Sequence, residues 1–238
     1  MDHIDNGLNS PIRTAVVTGG HPFDVLGFNQ LFKKLNGVEI YIQHMDDFSS
    51  STPDEIDQYD VILFYTMLLE LPVPITFRHE DSPSDYPGNP LSAFEQLEKS
   101  KKGIFILHHS ILAYPELPIW NNWVGLGEDC AAKFLASPEV APPESITIEI
   151  DDSNHPITEG ITDWEMTDEM YLMDGPGPDD HILLRTSNSK SMKNLGWVRN
   201  INQNRIFCWQ SGHDKRAWEN LNFISILERG IYWCASRI

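Results

Sequence analysis

Short apolar runs separated by stretches of helical period constrain this chain more than any other feature of its 238 residues. Ile12–Thr18 is apolar and β-branched and ends in Gly19-Gly20, which reads as a buried strand and a turn. Val38–Ile42, Tyr59–Thr66 and Gly103–His108 read as three more strands, and Val61-Ile62-Leu63-Phe64 is apolar at every position. Between them, Asp24–Leu35 places Leu26 or Phe28, Leu31, Phe32 and Leu35 at helical spacing, with Gly37 where a C-cap belongs. Pro53–Gln58 and Pro90–Ser100 are also expected as helices. A strand apolar on both faces must be covered on both faces, so this half predicts a parallel sheet between two helical layers.

The second half is richer in strands. Ser145–Ile150 alternates Ile146, Ile148 and Ile150, as a strand with one buried face does. His181–Ser187, Asn194–Asn200 and Arg205–Gln210 read as three further strands, the last two joined by a polar turn. A final helix is expected from about Ala217 to Cys234, with Trp218, Leu221, Ile224, Leu227 and Ile231 along one face. The predicted whole is a three-layer α/β/α sandwich whose mostly parallel sheet carries an antiparallel extension. No repeat or linker divides it, so one domain over 1–238 is expected, with 1–11 as a flexible tail. The Pro-rich stretches Leu71–Pro90 and Ser137–Glu144 read as long loops.

Composition excludes several classes. Thirty-five acidic against 17 basic residues give a net charge of −18, which repels phosphate backbones and argues against nucleic-acid binding. The longest apolar run, Val61–Leu71, is interrupted by Thr66 and Glu70 and falls short of the roughly 20 residues of a membrane span. Cys130, Cys208 and Cys234 are far apart and odd in number, unlike a disulfide framework. Residues 1–10 carry Asp2 and Asp5 and no apolar core, so no signal peptide is expected and the predicted address is cytoplasmic.

In open α/β sheets ligands gather beyond the carboxyl ends of the strands. The residues there are Gly19-Gly20-His21 with Asp24, Tyr65-Thr66, His108-His109-Ser110, and Gln210-Ser211-Gly212-His213-Asp214. The glycines let the backbone turn and approach a ligand, while Asp24 and Asp214 are placed to cap the helices that follow, Asp214 also being placed to orient His213. His108 and His109 would point to opposite sides if the strand continued, and the sequence leaves open which faces the site. Thr167-Asp168-Glu169-Met170-Tyr171 lies in a region with no clear strand. If extended, Glu169 and Tyr171 share a face, suited to a general base and a hydrogen-bond donor. No G-x-S-x-G, GxGxxG, phosphate-loop or HExxH pattern occurs, and no cysteine lies near Ser110. A metal site, zinc being the candidate ion, would have to be assembled from distant segments.

These segments, in this order, resemble the ThuA-like family, named for trehalose utilisation. The match runs through Val16-Val17-Thr18-Gly19-Gly20-His21-Pro22-Phe23-Asp24, Gly103–Ser110 with Tyr114-Pro115 and Trp120-Asn121, Asp168-Glu169-Met170-Tyr171, and Ser211-Gly212-His213-Asp214 with Trp218 and Gly230–Trp233. The resemblance implies a flavodoxin-like core similar to class I glutamine amidotransferases, without their catalytic cysteine, and a role in carbohydrate metabolism. It strengthens His21, His109, Glu169 and His213 as catalytic residues, with Gly20, Asp24, Thr66, Tyr114, Tyr171 and Asp214 as substrate-binding ones. One departure stands out. Where the family pattern leads to a further His, Gly125-Leu126-Gly127-Glu128-Asp129-Cys130 carries none, so a site relying on that His is incomplete or has Glu128 or Asp129 in its place.

Two functions are compatible with this. One is an enzyme on a trehalose-like disaccharide or keto-sugar, using acid–base or metal-assisted chemistry, with Tyr65, Tyr114, Trp120 and Tyr171 available for stacking. The other is a non-catalytic sugar-binding or regulatory protein on an amidotransferase-like scaffold. The expected partner is a small carbohydrate. The apolar segment Thr66–Thr76 is a candidate lid or a homo-oligomer interface.

Overall fold

The computed structural model describes residues 10–72, 88–127 and 129–238. Its sheet has nine strands in the order β2-β1-β3-β4-β9-β8-β7-β5-β6. These are β1 Ile12–Gly19, β2 Val38–His44, β3 Val61–Thr66, β4 Gly103–Leu107, β5 Val140–Ile150, β6 Trp164–Tyr171, β7 His181–Arg185, β8 Asn194–Ile201 and β9 Asn204–Trp209. β2, β1, β3, β4 and β9 run parallel, and β8, β7, β5 and β6 continue antiparallel. Every residue of β3 and β4 is buried, as their unbroken apolar sequences require.

Helices α1 (Val25–Phe32), α7 (Lys215–Trp218) and α8 (Leu221–Cys234) pack together, with α8 against β4 and β9. Helices α2 (Met45–Ser50), α4 (Pro90–Glu98) and α5 (Pro118–Val124) form a second group. The short α3 (Pro53–Ile56) starts with a capping box between Thr52 and Glu55, and α6 (Cys130–Ala136) precedes β5. Phe64 joins the second group to the sheet, its ring 5.0 Å from Trp120 and 5.9 Å from Phe94. The expected final helix is two, because Asn220 caps α8 through Asn222 and Phe223 N–H. The Pro-rich residues 73–87 lie outside the described part.

Two departures from the sequence reading create the site. The region of Asp168–Tyr171 is a strand, β6. The long hairpin β5–β6 joins the sheet through only Glu149 and Ile150 against Arg185 and Leu184. Pro142 and Pro143 sit at its bulge, where no further strand needs their missing N–H groups. So freed, the hairpin reaches back, and Asn220 Nδ2 donates to the Glu165 carbonyl of β6. The second departure is at β4. It stops at Leu107, and His108–Leu112 is a 3-10 turn, with His108 left-handed at φ 53°. That turn brings both histidines inward and buried.

At the opposite side, the half-buried His155 lies 5.4 Å, ring to ring, from both His181 and Trp233. Burial and the nearby His181 push its imidazole down from 6.5 to about 4, with Asp152 pulling the other way. The unfolded chain therefore binds this proton more readily. The stability it supports is complete above pH 6.5 and is lost as pH falls toward 4. His155→Phe is expected to flatten the fall of melting temperature across that window. Parallel wild-type and variant curves would refute the assignment.

Candidate active site

The centre lies where the parallel strands end. His108 Nδ1 donates to the Gln210 carbonyl at 2.7 Å, because a carbonyl only accepts. With that proton on Nδ1, the second ring nitrogen, Nε2, faces the centre. Facing that atom are Tyr171 Oη at 3.0 Å, His213 Nδ1 at 3.2 Å and Glu169 Oε2 at 3.5 Å. Glu169 Oε2 is also 3.2 Å from His213 Nδ1. Among the described residues His108, Glu169 and His213 are the one group able to converge three ligand atoms on a metal. Glu169 and Tyr171 do share a face of β6.

His21 and His109 form the adjoining wall, their rings stacked at 4.7 Å, with His21 also edge-on to His213 at 6.3 Å. His109 is 1% exposed, and Tyr65 packs on it at 4.3 Å. His21, Glu169 and His213 are reached by solvent, whereas His108 and His109 form the floor.

The environment sorts these groups by charge. Burial, reinforced by His108, lowers both His21 and His109, so both stay neutral at neutral pH. Burial also opposes ionisation of Glu169, but the imidazoles of His108 and His213 beside it outweigh burial and hold the carboxyl far below its usual range. The Glu169 hydrogen bond raises His213 in turn, making it the imidazole most ready to hold a proton. Tyr171 is pushed up by burial and by Glu169, so its hydroxyl stays protonated and donates.

Asp168 assembles the parts. It is 2% exposed and accepts from the backbone N–H of Glu169 (3.0 Å), Gly212 (2.8 Å) and His213 (3.0 Å). On the other side of the same turn, Tyr65 Oη donates toward the carbonyls of Gly212 and His213, and Trp218 Nε1 donates to Gly212. Gly212 has φ 116°, a conformation open to glycine. Gln210 adds a second tie, its side-chain amide donating to the Glu169 carbonyl at 3.0 Å.

The remaining expected residues have other positions. Asp24 caps α1 through Gly27 N–H, and Asp214 caps α7 and pairs with Arg216 rather than the His213 ring. Thr66 is buried, its hydroxyl donating to Gly19 and its N–H to Ser110 Oγ at 2.6 Å, which also engages the Ser110 hydroxyl. Gly20, at φ 76°, lies so close to Met67 that an added Cβ would sit 2.5 Å from its carbonyl. Tyr114 and Trp120 are buried together with Phe94, out of reach of a stacking ligand. Asp129 precedes α6 and is not among the converging ligands, and Glu128 lies outside the described residues.

The roles of Asp168 and Gln210, and the choice of His108, were not read from the sequence. The first two depend on backbone partners more than 40 residues away, and the third on a turn where a strand was expected. Cleft size does not locate the site either. Clefts of about 450 and 560 Å³ lie beside Cys130 and Phe134 and beside Asp152 and His181, neither lined by these histidines.

The family model described as trehalose utilisation, ThuA, matches residues 20–234, and the chain belongs to that family. Solved structures show the same fold. A ThuA-like protein from Parabacteroides merdae ATCC 43184 superposes with a TM-score of 0.69 at 19% identity, over 95% of this chain and 91% of its own. One from Bacteroides uniformis ATCC 8492 gives 0.65 at 18% identity, over 94% and 92%. A protein assigned to GMP synthase from Thermoplasma acidophilum gives 0.53 at 12%, over 95% of both chains. The fold is thus flavodoxin-like, of the class I glutamine amidotransferase kind. Among curated proteins none matches in sequence. No helix of the described residues is long and apolar enough to cross a membrane.

Asp168→Asn replaces one of the two accepting oxygens with an amide donor, which then faces the N–H of Gly212 or those of Glu169 and His213. It is expected to lower unfolding stability by about 1–3 kcal/mol, read from the denaturant midpoint at unchanged m-value. An unchanged midpoint would mean that this carboxylate is not the clasp.

Proposed function

We propose that this protein is an enzyme acting on a keto-sugar, free or as the oxidised unit of a trehalose-like disaccharide, by proton transfer next to its carbonyl. The observation that carries the reading is a neutral imidazole, His21, facing a centre built to hold positive charge between Glu169, His213 and His108. Family membership supports a carbohydrate as the ligand class, and a net charge of −18 disfavours polyanions.

In this reading His21 takes the proton from the carbon beside the carbonyl. The C–H electron pair becomes the C=C bond of an enediolate, and the carbonyl oxygen takes the negative charge. That oxygen is met by the His213 side of the centre and by the Tyr171 hydroxyl. Glu169 is too acidic to be the base, and its work is to hold the cationic partner in place. His109 supports His21 from below by stacking. Return of that proton from His21 to the neighbouring carbon isomerises the sugar; where a glycosidic oxygen sits on the carbon beyond, the enediolate pair instead re-forms the carbonyl and breaks that C–O bond, and the departing sugar hydroxyl takes the proton from His21.

The three thiols fit a reaction without a cysteine nucleophile. Cys130, Cys208 and Cys234 are free and buried, and burial raises all three. Unpaired thiols also support a cytoplasmic address.

Exchange of the α-proton of a keto-disaccharide for deuterium, followed by NMR in D2O, tests the reading. Wild type is expected to catalyse exchange, and His21→Ala to lose about 10²–10⁴-fold with its fold intact. Glu169→Gln is expected to lose a similar factor through the weakened centre. Saturable sugar binding without exchange would instead establish the non-catalytic sugar-binding alternative.

A further inference from the structure

We propose that His108 Nε2, Glu169 Oε2 and His213 Nδ1 are the protein ligands of one divalent zinc-class ion, with the fourth position open to water or substrate. The inference deepens the proposed function and rests on it only for what the ion would do, not for the site itself.

The first argument is metric. The three atoms are separated by 3.2, 3.2 and 3.5 Å. Donors about 2.0–2.1 Å from a tetrahedral zinc ion stand about 3.3–3.4 Å apart. The triangle is already the size such an ion requires. Side chains from three separate segments, the 3-10 turn after β4, strand β6 and the turn after β9, meet at that spacing.

The second argument is the direction of lone pairs. His108 spends its only neutral-ring proton on the Gln210 carbonyl, so Nε2 faces the centre as an acceptor. Glu169 Oε2, also an acceptor, lies opposite at 3.5 Å. Two acceptors face each other favourably only with a cation or a shared proton between them. A backbone carbonyl fixing the outer nitrogen of a ligating histidine is the usual support of such sites. Tyr171 Oη, 3.0 Å from Nε2, is placed to turn onto the carboxylate or onto an oxygen in the fourth position.

The third argument is donor chemistry. Two imidazoles and one carboxylate suit zinc and other borderline ions, whereas magnesium and calcium prefer all-oxygen shells. Three protein ligands rather than four leave the open position of a catalytic site. Glu169 and His213 are partly buried and both reached by solvent, while His108 is fully buried, so an ion has an entry path from one side.

The test uses the whole chain, stripped with a chelator and titrated with zinc or with cobalt(II). One ion per chain is expected, with the strong visible absorption of tetrahedral cobalt. His213→Ala and Glu169→Gln should each weaken zinc binding by at least about 100-fold, while His155→Ala, in the other histidine cluster, keeps one ion. Should the variants fold poorly, X-ray absorption of the zinc-loaded wild type must still show two imidazoles and oxygen. No bound ion, or full binding in both ligand variants, would overturn the site. Zinc bound as expected without any sugar exchange would leave the site standing and refute the proposed function instead. Exchange undiminished in zinc-free protein would restrict the reaction to proton chemistry and overturn the ion's part in it.

Discussion

The buried carboxylate of Asp168 is the interaction on which the rest of the site depends. It lies on the edge strand of the antiparallel extension, yet its oxygens are held by backbone N–H groups of the turn that follows the last parallel strand. Burying an ionised carboxylate is costly unless its lone pairs are met, and three N–H bonds meet them here. Because all three donors are main chain, the contact fixes backbone to backbone and leaves the neighbouring side chains free for chemistry. Glu169 and His213 are those neighbours. One clasp therefore registers the Glu169-bearing strand against the His213-bearing turn, and the strand order that separates β6 from β4 stops mattering.

Around this clasp the protein uses one physical device, crowding of titratable groups in a poorly solvated pocket, with two opposite results. Where imidazole faces imidazole, as at His21 and His109, burial and mutual repulsion favour the neutral form. Where imidazole faces carboxylate, as at His213 and Glu169, attraction favours the ion pair. The centre thus carries a neutral wall, His21 with His109, beside a polar one, His213 with Glu169. That separation is what proton transfer beside a carbonyl needs, because base and charge stabiliser must not neutralise one another.

Much of the fold was legible from periodicity alone. The parallel strands are apolar on both faces because both faces are covered, and a pattern with that cause can be read without tertiary knowledge. The hairpin's second strand, β6, was not legible. Its burial alternates from Trp164 to Met170, but one of the inward positions is the polar Asp168, and Tyr171 breaks the alternation where it meets His108. A polar residue inside looks, in sequence, like a residue outside. The same limit explains His108 and His109. Their order along a strand would send one away from the pocket, and only the left-handed backbone at His108 brings both in. A left-handed non-glycine residue costs about 1–2 kcal/mol, and strain of that kind is stored where the surrounding structure requires a particular aim. Gly20 and Gly212, by contrast, did announce turns, and they make close approaches at the mouth of the site.

The end of β4 shows why this scaffold can keep a pocket and change its chemistry. In the related amidotransferase fold a cysteine is the nucleophile. Here the strand delivers His108-His109-Ser110, and the one hydroxyl in that group is already bound to the end of β3 and carries no base beside it. Ser110 thereby becomes a brace, tying β3 to the 3-10 turn, while Trp120 Nε1 donates to its carbonyl. An acyl-enzyme route requires a side chain free to attack and to be released. A proton-transfer or ion-centred route requires groups that do not move. The bonds to Gln210, Asp168, Tyr65 and Ser110 supply rigidity and no freedom, which supports the proposed proton-transfer reading.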